Sequence, residues 1–254
     1  MNVKGLEARM KPSVYGVGYL GSNLNLKSKI NGKTCKIHSL WRNMIKRCYD
    51  VNSHQQYPTY IGCYVSDDFK DYSKWRGWYD NYPYKQDDWQ LDKDLLVKGN
   101  KIYSESTCVF LPKEINLVLT KRTTSRGKHL IGVYFDKQYK KFVSKVSLGT
   151  SNQKVLGRYD NEYDAHLAYK EAKEAYLKEL ADKYKDVLDP RAYKALYNYT
   201  VDIDDWCAIN TDTLLSVVVI SSATPYTILI HDIFNFCRMK AKSYAIGYID
   251  FQNS

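Results

Sequence analysis

Apolar positions along the chain switch period several times, and each switch marks an element. In KIHSLWRNMIKRCYD (36–50), Ile37, Leu40, Trp41, Met44, Ile45 and Cys48 fall on one face at helical spacing. Lys36, Arg42, Lys46 and Arg47 lie elsewhere around that helix. After a loop with Pro58, VSDDFKDYSKWRGWYDNY places Phe69, Tyr72, Trp75, Trp78 and Tyr79 at the same period, with Ser66 as N-cap and acids behind it. An aromatic stripe of this kind reads as core. In 89–119, QLDKDLLV predicts a strand, KGNK a turn with Gly99 free for positive φ, and CVFLP a second strand. PKEINLVLT then opens a helix with Pro112 near its first turn, completing a ββα unit. Farther on, IGVYF, KFVSKVS and KVLGRY are separated by the turn-like DKQYKK and GTSNQ. An Ala-rich helical run follows and extends through EAKEAYLKELADKY. This predicts a three-stranded antiparallel sheet packed on one helix, so the fold class is α+β. Asp189-Pro190 breaks the helix, and a shorter one runs to about Tyr199.

The expected organisation is a basic N-terminal arm with short extended pieces (1–35), the ββα module with its helical lead-in (36–119), a basic linker (120–129), the sheet-and-helix domain (130–185) and a C-terminal segment (186–254) with no assigned role. Within that last segment Leu214–Ile230, LLSVVVISSATPYTILI, approaches membrane length. Ser-Ser, Thr-Pro and a Tyr interrupt it, so it reads as a pair of buried strands.

Charge adds a partner class. The 254 residues carry a net charge of +10. Residues 1–50 hold ten Lys/Arg against Glu7 and Asp50, and 121–158 hold ten against Asp136 alone, which leaves the remainder acidic. Two separated basic blocks suit two contacts with a polyanion. Tyr is frequent at 24 against 7 Phe, which suits half-buried, wet surfaces. The cysteines, at 35, 48, 63, 108, 207 and 237, form no CxxC pair, so neither a zinc knuckle nor a disulfide framework is expected. The start, MNVKGLEARMKPS, has no apolar core of a signal peptide, so a cytoplasmic protein with no membrane partner is expected.

Two family resemblances cover about 36–185. Gly132-Val133, Phe142-Val143 with Val146, Leu156-Gly157-Arg158-Tyr159, and Glu162, Ala165, Ala168 and Tyr169 match the motifs of the plant ethylene-response-factor (AP-two/ERF) DNA-binding domain. Leu91-Asp92-Lys93, Tyr103-Ser104-Glu105-Ser106-Thr107-Cys108 and Ile115-Asn116 resemble phage-type HNH homing endonucleases. WRNMIKRCYD, Cys63 and the DDF…W run look like the head of that phage family.

The second resemblance implies a metal-dependent phosphodiester chemistry. Asp92 and Asn116 match the protein ligands of one divalent ion, Mg²⁺ or similar, on the scissile phosphate. The family's catalytic base is a His following that Asp. Here Lys93 occupies that position. Roughly one free Lys in 2,500 is neutral at pH 7, so Lys93 fits a phosphate-binding or charge-stabilising catalytic role better than that of a base. The chain is therefore expected to be either a nicking endonuclease or a DNA-binding regulator on a degenerate nuclease scaffold. A basic RNA-associated protein is a third reading.

The first resemblance implies double-stranded DNA as partner, with the sheet in the major groove. Alternation puts Val133, Phe135, Phe142 or Val143, Val146 and Leu156 towards the helix. It puts Tyr134, Lys141, Ser144 or Lys145, Ser147, Lys154 and Arg158 outside. Lys137, Lys140 and Lys141, in the first hairpin, suit phosphates. Tyr134 and Asp136 stand where that family usually carries Arg, and Phe142 replaces a Trp, so its target sequence is not carried over.

Overall fold

A computed structural model describes residues 3–120, 129–149 and 153–202. These separate into two compact units, one made of 3–120 with 176–199 and one of 129–149, 153–175 and 200–202. The architecture is α+β with small sheets. Among the described residues no helix is long and apolar enough to cross a membrane. Leu214–Ile230 lies outside the described residues, as does most of the basic linker.

The first unit opens with helix α1 (Val3–Met10) and a hairpin of strands β1 (Lys29–Ile30) and β2 (Lys33–Thr34). The stretch expected as an arm is thus folded, and Arg9 ties it together. Its guanidinium donates to the carbonyls of Leu20, Gly21, Asn23 and Leu26. Helix α2 (Lys36–Tyr49) buries His38, Trp41, Met44, Ile45 and Cys48, the face that the periodicity defines plus one histidine. Helix α3 (Val51–Gln56) and strand β3 (Tyr64–Val65) follow.

The aromatic stretch forms helices α4 (Asp67–Lys70) and α5 (Tyr72–Asn81) where one helix is predicted. Asp71 is the cause. Its backbone is extended, and its carboxylate accepts from the N–H groups of Ser73 and Lys74, so α5 begins afresh, while Ser66 makes no capping bond. Phe69, Tyr72 and Trp75 are buried, and Trp78 stacks on Phe110 with ring centroids 5.8 Å apart. The stripe is core.

Strands β4 (Gln90–Asp92), β5 (Ile102–Tyr103) and β6 (Val109–Leu111) lead to helix α6 (Lys113–Leu119). β4 pairs antiparallel with β6, whereas β5 pairs parallel with β3. The predicted strand QLDKDLLV stops at Asp92 because Asp92 Oδ1 accepts from the N–H of Asp94 and of Leu95 at 2.9 and 2.8 Å, closing a turn.

In the second unit β7 (Val133–Asp136), β8 (Lys141–Ser147) and β9 (Gln153–Tyr159) form an antiparallel sheet in the order β7-β8-β9. Helix α7 (Glu162–Tyr184) then gives its first part to this unit and its last turns to the first unit. Helix α8 (Pro190–Tyr197) starts at the Asp189-Pro190 break, with Pro190 in the first turn and Asp189 capping the Arg191 N–H.

Asp189 does more than cap. It is 3 % exposed, accepts the Tyr82 hydroxyl at 2.7 Å and pairs with Arg191 at 2.8 Å. Burial pushes its carboxyl up, but the hydrogen bonds from Arg191 and Tyr82 outweigh that and leave it below the usual carboxylate range. Its contribution is therefore complete above the ordinary Asp pKa and is lost as pH falls through the lower folded value. Asp189→Ala is expected to cost about 2–4 kcal/mol at neutral pH, from a lost cap and an orphaned Tyr82 hydroxyl. It should also flatten the acid limb of a urea-midpoint profile, and an unchanged limb would remove Asp189 as a source of acid sensitivity.

Candidate functional site

Two surfaces carry the residues singled out from the sequence, one in each unit. In the first unit, Gln90 and Asp92 share one face of β4, roughly 7 Å apart along the strand. Asn116, in the middle of α6, donates its side-chain amide to the side-chain oxygen Oε1 of Gln90. That bond turns the Asn116 Oδ1 into the remaining acceptor. Asp92 uses Oδ1 for the turn N–H groups. Burial raises its carboxyl pKa, and the Leu95 N–H partly opposes this.

Lys93 points elsewhere. It is 4 % exposed, and its ammonium donates to Asp94 at 2.5 Å and to the Asn100 carbonyl at 3.0 Å. It also sits 5.6 Å from the centre of the Tyr103 ring. Asn100 locks the same loop by donating to the carbonyls of Lys93 and Ile102. The ammonium thus has a carboxylate, a carbonyl and a ring as partners, and it serves the packing of the loop.

Other nucleophile or base candidates nearby are weak. Burial pushes the Cys48 and Cys108 thiols up to about 12, so neither forms a thiolate near neutrality. His54 is engaged with the Arg47 carbonyl. Among the described residues no group of three or more His, Cys, Asp or Glu gathers as a metal cage. Asp92 caps its turn and Asn116 bonds to Gln90, and their side-chain oxygens are of the kind that a divalent ion such as Mg²⁺ would take alongside waters and a phosphate.

In the second unit, the register sorts the sheet residues onto two faces. Tyr134, Val143 and Arg158 stand in one row, Asp136 opposite Lys141, Lys145 opposite Val155, and Ser147 opposite Gln153. The opposite face carries Val133, Phe135, Phe142, Ser144 and Val146. Helix α7 begins on that side. His129 lies against both Phe rings, and its Nδ1 is 3.4 Å from Glu162. The sequence left Phe142 or Val143, and Ser144 or Lys145, undecided. The register turns Phe142 and Ser144 to the helix side, and Val143 and Lys145 to the outer side.

Lys154 departs from expectation. The ladder steps from Ser144↔Gly157 to Lys145↔Val155, which leaves Leu156 as an extra residue in β9. One extra residue inverts the alternation beyond it. Lys154 therefore pairs with Val146 and shares the helix-side face, while Val155 and Gln153 move outside. Leu156, predicted on the helix side, is the bulge residue itself.

The outer face is preset electrostatically. Lys145 lies 5.3 Å from the Tyr134 ring centre, and Arg158 lies 4.7 Å from that of Tyr139. Carboxylates neutralise part of the charge: Asp136 is 4.0 Å from Arg158, and Asp160 pairs with Lys141. Lys145 has no carboxylate partner among the described residues. Lys137 and Lys140 stand exposed in the β7–β8 turn, where Asp136 caps Gln138 and Tyr139 and Lys140 takes a positive φ of 50°.

Gln90, Asn100, Tyr139, Gln153 and Val155 were not singled out from the sequence. Alternation from Asp92 would have found Gln90. The other four depend on the loop geometry and the bulge. No family model, no curated protein and no solved structure matches the chain.

Proposed function

We propose that the protein binds double-stranded DNA through the outer face of the β7–β8–β9 sheet. The observation that carries this reading is the single face bearing Tyr134, Lys145, Ser147 and Arg158, flanked by the cationic turn at Lys137 and Lys140. Three strands span roughly 10 Å, which suits a major groove about 12 Å wide. Cations laid against aromatic rings lose less rotamer freedom when they meet phosphate. The resemblance to the ethylene-response-factor domain points the same way.

On this reading the ββα unit is a binding scaffold that resembles the phage HNH fold. Its Lys93 supports a loop and supplies no base. A nicking enzyme is the second reading, and one observation favours it. The Gln90–Asn116 bond brings the Asn116 amide to the side chain that shares a face of β4 with Asp92. Asp92 and Asn116 would then hold Mg²⁺, which would polarise the phosphate for attack by water.

One experiment addresses both. Affinity for a labelled duplex is measured against salt, and the same proteins are incubated with supercoiled plasmid and Mg²⁺. The double variant Lys145→Ala/Arg158→Ala should lower the salt slope by about two, at about 0.9 per phosphate contact. Lys154→Ala, on the opposite face, should leave it unchanged. An unaltered slope in the double variant would remove the sheet from the interface. Intact plasmid supports the binder, whereas nicking that disappears in Asp92→Ala makes the protein a nuclease.

A further inference from the structure

Outside both surfaces, Ser13, Ser28, Lys29, Thr34, His38 and Arg42 converge on a cavity of about 250 Å³ in the first unit. Two tight hairpins and the first turns of α2 form its walls. One hairpin closes Val14 onto Gly18 through Tyr15 and Gly16, both at positive φ (50° and 75°). The other joins β1 to β2 through Asn31 and Gly32 at the same angles. Left-handed backbone at a tyrosine is strained, and such strain concentrates at ligand clamps. Tyr15 lines the cavity, and the Arg42 guanidinium stacks 5.6 Å from its ring centre.

The floor of the cavity is the informative part. His38 is 7 % exposed, and neither ring nitrogen has a hydrogen-bond partner. A buried, unpaired imidazole is costly unless something polar meets it. Burial, and then the charge of Arg42, lower its pKa, so it is neutral and offers one N–H. Cys35, at the N-cap of α2, makes no side-chain capping bond, and His38, in the first turn of that helix, lines the cavity. Among the described residues neither Arg42 nor Lys29 has a carboxylate partner, and Glu7 and Asp50 are the only acids in 1–50. The hydroxyls of Ser13, Ser28 and Thr34 complete the lining and can each donate to an anion.

We propose that this cavity binds a phosphate-type oxyanion, with Arg42 as the fork, Lys29 and the hydroxyls as further donors and His38 as the floor. The occupant is either free phosphate or a backbone phosphate of nucleic acid. The site stands independently of the sheet face.

The test follows the His38 ring signals by NMR while the full chain is titrated with inorganic phosphate at constant ionic strength. Saturable movement of those signals is expected, with affinity weakened about tenfold in Arg42→Gln, the loss of one charged hydrogen bond. Arg42 is exposed, so this variant keeps the fold. Lys145→Ala should titrate as the wild type does. No saturable shift, or equal affinity in Arg42→Gln, overturns the proposal. Adding duplex DNA identifies the source: displacement of phosphate by duplex assigns a backbone phosphate, and simultaneous binding assigns the free ion.

Discussion

Trp41→Ala should destabilise the first unit by about 3–5 kcal/mol, the usual cost of deleting a buried Trp. Trp41 is fully buried, and its indole N–H donates to the Phe69 carbonyl at 2.7 Å. The ring also sets how closely the N-terminal hairpin approaches, because a Cβ at Gly18 would lie 3.0 Å from it. Truncation therefore opens a cavity, orphans a carbonyl and unseats the first hairpin together. Against a typical total of about 5–15 kcal/mol, that leaves little margin. Trp41→Phe keeps most of the volume and should lose about 1–3 kcal/mol for the missing N–H. Urea unfolding followed by far-UV circular dichroism checks both. A loss under about 1 kcal/mol in Trp41→Ala would show that the site collapses freely, contrary to a close-packed core.

Gly132→Ala should produce the largest effect in the second unit: the added methyl meets Tyr169 of α7, and the Gly132 carbonyl accepts from the Lys145 N–H at 2.8 Å. Gly132 has φ of +81°, and an added Cβ would lie 2.1 Å from the Tyr169 ring and 2.7 Å from the Tyr169 Cβ. Left-handed strain costs about 1–2 kcal/mol in an L-residue, and overpacking adds about 1–3 kcal/mol. The clash falls where α7 meets the start of β7, so duplex affinity should fall as the sheet loses its support. A double-mutant cycle with Tyr169→Ala separates the two costs. The ring clash is relieved in the double variant, while the backbone strain and the close approach to the retained Cβ stay, so the effects should be non-additive. Additive losses would mean that Tyr169 is not the obstacle.

Local pattern predicted most of the elements, for identifiable reasons. The α2 face from Ile37 to Cys48, the three strands of the second unit and the Asp189-Pro190 break rest on period, β-branched content and proline chemistry within a few residues. Where prediction and structure part, a single polar side chain decides. Asp71 splits the aromatic helix, and Asp92 ends its strand by capping the following turn. Both are Asx geometries that a hydrophobic period does not register.

The candidate sites divide the same way. The sequence alone determined which residue types are present: the ββα and three-stranded patterns, the basic blocks, and Asp92, Lys93 and Asn116 at their spacing. Tertiary structure decided what each can do. It buried Lys93 among Asp94, Asn100 and Tyr103, turned the Asn116 amide onto Gln90, and moved Lys154 across the sheet through one bulge residue. It also gathered Ser13, Lys29, His38 and Arg42 around one cavity. Period and propensity are properties of neighbours along the chain. Burial, partner and face are set by residues that are distant in sequence and close in space.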